Sequence, residues 1–401
     1  MLQISPIFNA MMRNKSSVML IIIQIALTVA IVSNAAFIIT ERIQHMQRDT
    51  GLPEEQLIGF NMFFFDSNVD ITEQINLDAL KLRELPGVIN ATAVNQIPLS
   101  GSGDSWSFRN QYEMDGSKDG GATVFHGDEQ LINSLGVNLV RGRTFNKDEV
   151  LYERDGIHMP STIIVTQAMA DYFFPNEDAL GKTIYNMDNS LQIIGIIDHM
   201  QGPWLDSTMV NRSAILPIVT QPTFKRFIIR AEEHAVDSIL TKIESTLLAL
   251  ENRRVIQHPQ TIVDMKAESY KADRLMVGML MIIVTILVFI TTLGISGMAV
   301  FNVNRRRKQI GTRRALGASK GNILSYFMTE SAIFSIIGIV IGVALAFVLS
   351  NFLMDYLSSS ALSVSYIVGT IVGVLVVSQI AVFIPALKAA SISPAIATRS
   401  V

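Results

Sequence analysis

The chain has 401 residues, 49% of them hydrophobic and only 17% charged, a balance too apolar for an ordinary soluble protein. Its net charge of -3 hides an uneven layout, with basic residues crowded into three short places and acidic residues filling the region from about 40 to 274. Cysteine is absent, which excludes disulfides, thiolate chemistry and lipid attachment through cysteine.

Residues 1–17 carry Arg13 and Lys15 and no acid, and read as a cytoplasmic segment. Residues 18–39 form a first apolar run free of Asp, Glu, Lys, Arg and His. An apolar core of ~30 Å demands about 20 such residues, so a transmembrane helix is predicted. Arg13 and Lys15 before the run, and the small residues Ser33 to Ala36 near its end, also suit a signal peptide. The run is longer than the usual signal core of about 7–15 residues, which favours the helix.

Residues 40–274 form the outer domain. Within it, 57–65 reads as a strand, 73–85 as a helix ending before Pro86-Gly87, and 88–96 as a second strand. Residues 223–230 are strand-like, Val236, Ile239, Leu240, Ile243, Leu247 and Leu250 keep helical spacing, and 253–258 is strand-like again. Two such βαβ halves build a split layer of four strands and two helices. Residues 98–222 are then an inserted lobe, opening with the Gly- and Ser-rich PLSGSGDS and holding strands near 122–126, 162–166 and 191–197.

Three further apolar runs follow at 275–303, 332–353 and 364–384. The second span should reach about 43 Å, so it protrudes or tilts and would link the outer domain rigidly to the segment after it. The link at 304–331 holds seven basic residues, the short loop at 354–363 none, and the tail at 385–401 has Lys388 and Arg399. The positive-inside rule therefore places both termini and the basic link in the cytoplasm and 40–274 outside. Gln24, Asn34 and Gln379 are the most polar side chains in the spans. An ion-driven pump usually needs intramembrane carboxylates, so energy should come from elsewhere. Gly338-x-x-x-Gly342 and Gly369-x-x-x-Gly373 are candidate helix-packing motifs, within the bundle or between copies.

Chemistry-bearing motifs are few. NEDALGKT at 176–183 has Asn176 where a phosphate-binding loop needs its first glycine, and leads into a strand, so a turn is expected. The six histidines lack ligand spacing; Asp198-His199 and His126-Gly127-Asp128 come nearest. No nucleophile elbow or acid-base pair stands out, so neither catalytic site, metal nor cofactor is expected.

The stretch NRRRKQIGTRRALGAS at 304–319 is the candidate site. Its first cations could simply anchor the preceding helix at anionic membrane lipids. Nucleic-acid binding is disfavoured, because the patch is short and holds no aromatic residue. Ile310, Leu316, Ile323 and Phe327 can share a helix face, with Gly311 and Gly317 permitting close backbone contact or a break, and this suggests a surface for docking a protein.

RRRKQIGTRRALGASKGNIL followed by TESAIFSIIGIVIGVALA, with IPALKAASISPAIA near the end, resembles the permease signature of the MacB and FtsX-like ABC transporter superfamily. GRTFNKDE, STIIVTQAMADYFFPNEDALGKTI and LQIIGIID are similar to that family's periplasmic domain. The resemblance implies an α-helical membrane protein with four transmembrane helices, one plus three. Its large mixed α+β periplasmic domain would comprise a split βαβ porter-like lobe and an inserted lobe. It also implies that Arg305, Arg306, Arg307, Lys308, Gln309, Ile310, Gly311, Arg313, Arg314, Leu316, Gly317 and Ala318 contact an ATP-binding-cassette subunit. With no Walker-type sequence in the chain, that ATPase is expected on a separate subunit. Further implied partners are a second permease, identical or related, a periplasmic adaptor and an outer-membrane channel for export of peptides, antibiotics or other compounds. Lipoprotein release and control of cell-wall hydrolases are variants. Many relatives have Glu where this chain has Gln309, a departure that puts any salt bridge to the ATPase at that position in doubt. The alternative is a membrane sensor with a ligand-reading outer domain, but no signalling domain is legible.

Overall fold

The computed structural model describes residues 15–65, 70–152, 159–220, 224–357 and 362–393. Arg13, Arg399 and residues 358–361 of the loop expected at 354–363 lie outside the described residues, and 354–357 of that loop are helical instead. The chain divides into a unit at Arg48–Lys271 and a helical unit built from the residues on either side.

The helical unit opens with α1 (Lys15–Met46). In the other unit, a porter lobe begins with β1 (Leu57–Phe64), α2 (Ile71–Arg83) and β2 (Val88–Val94). Asp70 starts α2 two residues earlier than the apolar spacing suggests, because its side chain accepts from the Thr72 and Glu73 amides at 3.1 and 3.2 Å.

The inserted lobe supplies β3 (Ser105–Arg109), β4 (Asp119–His126), α3 (Leu131–Leu135), β5 (Leu139–Gly142), β6 (Leu151–Tyr152) and β7 (Thr162–Thr166). It continues through α4 (Gln167–Phe173), β8 (Thr183–Asn186), β9 (Asn189–Ile197), β10 (Ser213–Leu216) and β11 (Ile218–Val219). The chain then returns to the porter lobe as β12 (Phe224–Ala231), α5 (Val236–Leu248), β13 (Arg254–Thr261) and α6 (Ile262–Ser269).

The porter sheet has the order β13-β1-β12-β2, antiparallel throughout, which is the split βαβ arrangement read from the sequence. Alternation along the strands sends Ile58, Phe60 and Met62 to one face, where Ile75 and Leu82 of α2 and Ile239, Ile243 and Leu247 of α5 cover them. Phe60 and Phe227 stack across neighbouring strands with ring centroids 5.2 Å apart. The inserted lobe is a seven-stranded mixed sheet in the order β5-β9-β7-β10-β4-β3-β8, with Phe108, Val124, Ile163, Met169 and Phe173 in its core. Residues 176–182 are a turn entering β8, with Asn176 at φ +67°.

His126, at the end of β4, is buried in this lobe with neither ring nitrogen hydrogen-bonded, and its ring meets Trp106 edge-on at 5.2 Å. Burial, helped by the nearby Lys225 cation, lowers its pKa to about 4. The unfolded chain therefore binds this proton from about pH 6.5 downward while the folded chain refuses it until about pH 4. Stability from this residue is present above about pH 6.5 and lost as pH falls, by roughly 3 kcal/mol. Thermal melts of the wild type and His126→Phe at pH 7 and pH 4.5 should show the variant with the shallower acid loss; equal losses would remove His126 as the cause.

The helical unit continues with α7 (Lys271–Arg305), α8 (Arg307–Ala315), α9 (Lys320–Leu357) and α10 (Val364–Ala390). Four of its helices, all but α8, are long and apolar enough to cross a membrane. At 35 residues, α7 is longer than its apolar run and spans about 52 Å. Near the first turn of α7, Asp273 holds Arg42 of α1 at 3.1 Å, with His45 at 3.6 Å.

Candidate functional site

Two local breaks shape the basic segment. After α7, Arg306 leaves helical geometry at φ -97°, ψ 12°, and α8 starts at the next residue. At the other end Gly317 takes φ +96°, while the Gly317 amide donates to the Arg314 carbonyl at 3.2 Å and the Ala318 amide to that of Arg313 at 3.0 Å. Ser319 then accepts from the Asn322 amide at 3.1 Å and opens α9.

The apolar residues of the segment do not share one outward face. Ile310 is buried with Ile323 and Phe327 of α9 against Ala386, Ala389 and Ala390 of α10. Gly311 is buried, Ala318 packs at the cluster's edge, and Leu316 alone points away, 83% exposed. The shared apolar face expected of Ile310, Leu316, Ile323 and Phe327 is therefore corrected: three of the four are buried and only Leu316 is exposed. The physical reason is that α8 is one short turn-bounded helix, and its apolar stripe is consumed in fixing it to its own bundle.

The cations divide in the same way. Arg306 reaches both carboxylate oxygens of Glu330 at 3.0 Å and the Tyr326 hydroxyl at 3.1 Å. Arg314 donates to the Ala390 carbonyl at 2.9 Å, capping the end of α10, and Arg313 lies 5.1 Å from the Tyr326 ring centre. Arg305, Arg307, Lys308 and Gln309 are exposed. Sequence reasoning missed Glu330, whose side chain is 4% exposed. Its signal was faint: it is the first acid after seven cations, one α-helix away.

The two glycine motifs also separate. A Cβ at Gly338 would lie 2.8 Å from the Ile25 Cβ, and one at Gly342 would lie 2.7 Å from that of Val29, so this pair seats α9 directly on α1. Asn34 of α1 donates to the Ala346 carbonyl at 3.1 Å along the same seam. Gly369 and Gly373 meet nothing within 4 Å and line a cavity of about 380 Å3 beside Thr28, Thr291 and Tyr366.

Comparison with known proteins follows this division. The family described as MacB-like periplasmic core domain matches residues 17–249, and the FtsX-like permease C-terminal family matches 281–394. The macrolide export ATP-binding/permease protein MacB of Neisseria gonorrhoeae is 25% identical over 256 residues, covering 60% of this chain and 36% of that protein. The Bartonella henselae protein of the same name is 25% identical over 278 residues, covering 67% and 39%. The chain thus spans little more than a third of the length of these curated relatives. Among solved structures, the extracellular domain of the noncanonic ABC-type transporter YknZ from Gram-positive bacteria is similar at TM-score 0.32 and 14% identity, covering 50% of this chain and 100% of that one. The periplasmic region of MacB from Actinobacillus actinomycetemcomitans is similar at TM-score 0.32 and 14% identity, covering 54% and 94%. With the periplasmic core match alone taking more than half of its residues, the chain belongs to the MacB/FtsX-like family of ABC transporter permeases and is an inner-membrane protein with a periplasmic segment.

Proposed function

We propose that this chain is a permease subunit that passes motion from a separate ATP-binding-cassette subunit to its periplasmic domain, and that α8 is where the ATPase docks. The observation that carries this reading is the two-sidedness of α8. The helix and its two end residues are fixed to α9 and α10 through Ile310, Arg306–Glu330 and Arg314, while Leu316, Arg307, Lys308 and Gln309 stay exposed. A lipid anchor needs only the cations; a welded helix with an exposed apolar tip suits a rigid lever.

In this reading, nucleotide-driven closure of two ATPases moves α8, the Glu330 ion pair carries the movement into α9, and α7, which is continuous over 35 residues, carries it toward the periplasm. Substrate need not cross the bilayer through this chain. The curated relatives are named as macrolide exporters, and export of an antibiotic, peptide or other compound, with a second permease, an adaptor and an outer-membrane channel, is the role proposed here. The test is a mild-detergent pull-down of the tagged chain from its native membrane, with mass spectrometry of its partners. An ABC ATPase with a second permease or an adaptor is the expected result. Recovering none, under conditions that hold a known ABC complex together, would reduce α8 to a topology anchor.

A further inference from the structure

The porter sheet has a second face, opposite α2 and α5, and part of it is hollow. Asn61 of β1 and Arg226 of β12 are cross-strand partners, each beside a core residue, so both point to this face. At Gly59 the face is sealed: a Cβ there would lie 2.8 Å from Met265 of α6 and 3.0 Å from Ile97. Two residues further along β1 the covering layer stands off, leaving a cavity of about 180 Å3 lined by Asn61, Ser100, Ser102, Arg226, His258 and Gln260.

Arg226 is the charged group of this cavity that has no acid of its own among the described residues. Its guanidinium donates to the Asn95 carbonyl and to the Ser102 hydroxyl at 3.4 Å, and stacks 4.6 Å from the Phe224 ring centre. Burial alone lowers its pKa, with no neighbouring carboxylate opposing the shift. The one carboxylate on the rim, Glu268, is committed to Lys271 at 2.9 Å. An arginine fork has five N–H donors, so donors remain for a ligand.

The backbone around the cavity is strained as well. Four non-glycine residues among those described have positive φ, and two of them are His258 at +50°, which lines this hollow, and Leu99 at +62°, which precedes its lining residue Ser100. His258 lies where β13 carries an extra residue opposite β1, a bulge that turns its side chain toward the cavity. Leu99 is held by the Ser269 hydroxyl on its carbonyl at 2.5 Å. Strain of this kind gathers at ligand-binding sites.

We propose that this hollow is a binding site for a carboxylate end group, gripped by Arg226 with Asn61 and the hydroxyls of the Ser100–Ser102 loop. The volume is below the ~300–1,000 Å3 of a site enclosing a whole drug-sized ligand, so it holds the end of a molecule. A planar, two-oxygen anion matches the arginine fork, and the surrounding amides and hydroxyls satisfy its other lone pairs. The site belongs to the Arg48–Lys271 unit and stands whether or not α8 docks an ATPase.

Saturation-transfer NMR on the full chain in detergent tests this, with N-acetyl-alanyl-alanine as the free acid and as its C-terminal amide. The free acid should receive saturation and the amide should not, and Arg226→Gln should weaken binding of the acid at least 10-fold. Competition by acetate would assign the site to small carboxylates in general; resistance to acetate would assign it to peptide C-termini. Equal transfer to acid and amide in the wild type overturns the proposal, and that comparison holds even where Arg226→Gln fails to fold. Undiminished binding by a folded Arg226→Gln overturns it too.

Discussion

Leu316→Asp should strip the ATPase from an otherwise intact membrane protein, while Ile310→Asp should fail at folding. The two residues lie six apart in one amphipathic stretch, yet one is 83% exposed and the other 4%. A charge at an exposed position typically changes stability by no more than about 0.5 kcal/mol. The same charge in the cluster of Ile310, Ile323, Phe327 and Ala386 must be desolvated without a partner, at a cost of several kcal/mol. If Leu316 is the apolar anchor of the docking face, burying an aspartate there removes a contact of ~2 kcal/mol or more, a loss of about 30-fold in affinity. The check pairs the amount of ATPase co-purified with each variant against its thermal midpoint in detergent. A Leu316→Asp protein that keeps its full complement of ATPase sinks the docking role. Because Arg307 and Lys308 are exposed on the same short helix that Leu316 ends, the wild-type complex should also weaken as salt is raised through the range where the Debye length falls from ~10 to ~3 Å.

How much of this could be read beforehand depends on how local the physics is. The four spans were legible because a bilayer imposes length and excludes charge on each helix separately. The porter lobe was legible because α2 and α5 show their apolar spacing over 13 residues each, between short apolar strands. α6 was missed because eight residues give too little periodicity, although Thr261 accepting from the Asp264 amide is an ordinary start signal. In the inserted lobe only three strands were visible. The others include β5 of four residues and β6 of two, and the sheet is ordered by distant pairings such as β10 parallel to β4 and antiparallel to β7. At the site, periodicity revealed that α8 is amphipathic without saying what covers the apolar side. Gly338 and Gly369 begin identical motifs, and only the neighbours distinguish them: Ile25 against the first, open space against the second.

The largest single loss of stability outside the membrane should come from Asp78→Leu. Asp78 on α2 and Arg254 at the start of β13 form an ion pair with both side chains fully buried in the porter lobe. Arg254 also donates to the Leu247 carbonyl and lies near the Phe64 ring, so it ties β13 to α5 and β1 at once. Burial pushes the Asp78 carboxyl above its ordinary pKa, and Arg254 and Gln74 only partly counter this. The desolvation of the pair is therefore not repaid by its attraction, and the pair as a whole adds little stability. Removing one member is different, because it strands a guanidinium inside an apolar core, at about 3–5 kcal/mol. At roughly 2–4 °C per kcal/mol for a unit of this size, Asp78→Leu should lower the thermal midpoint by ~10 °C. Adding Arg254→Met to Asp78→Leu should recover most of that loss, since two apolar side chains of similar volume fill the space without a charge to solvate. Melts of the full chain followed by circular dichroism decide the matter. If the double variant is no more stable than Asp78→Leu, relieving the stranded charge does not restore the fold and the explanation fails.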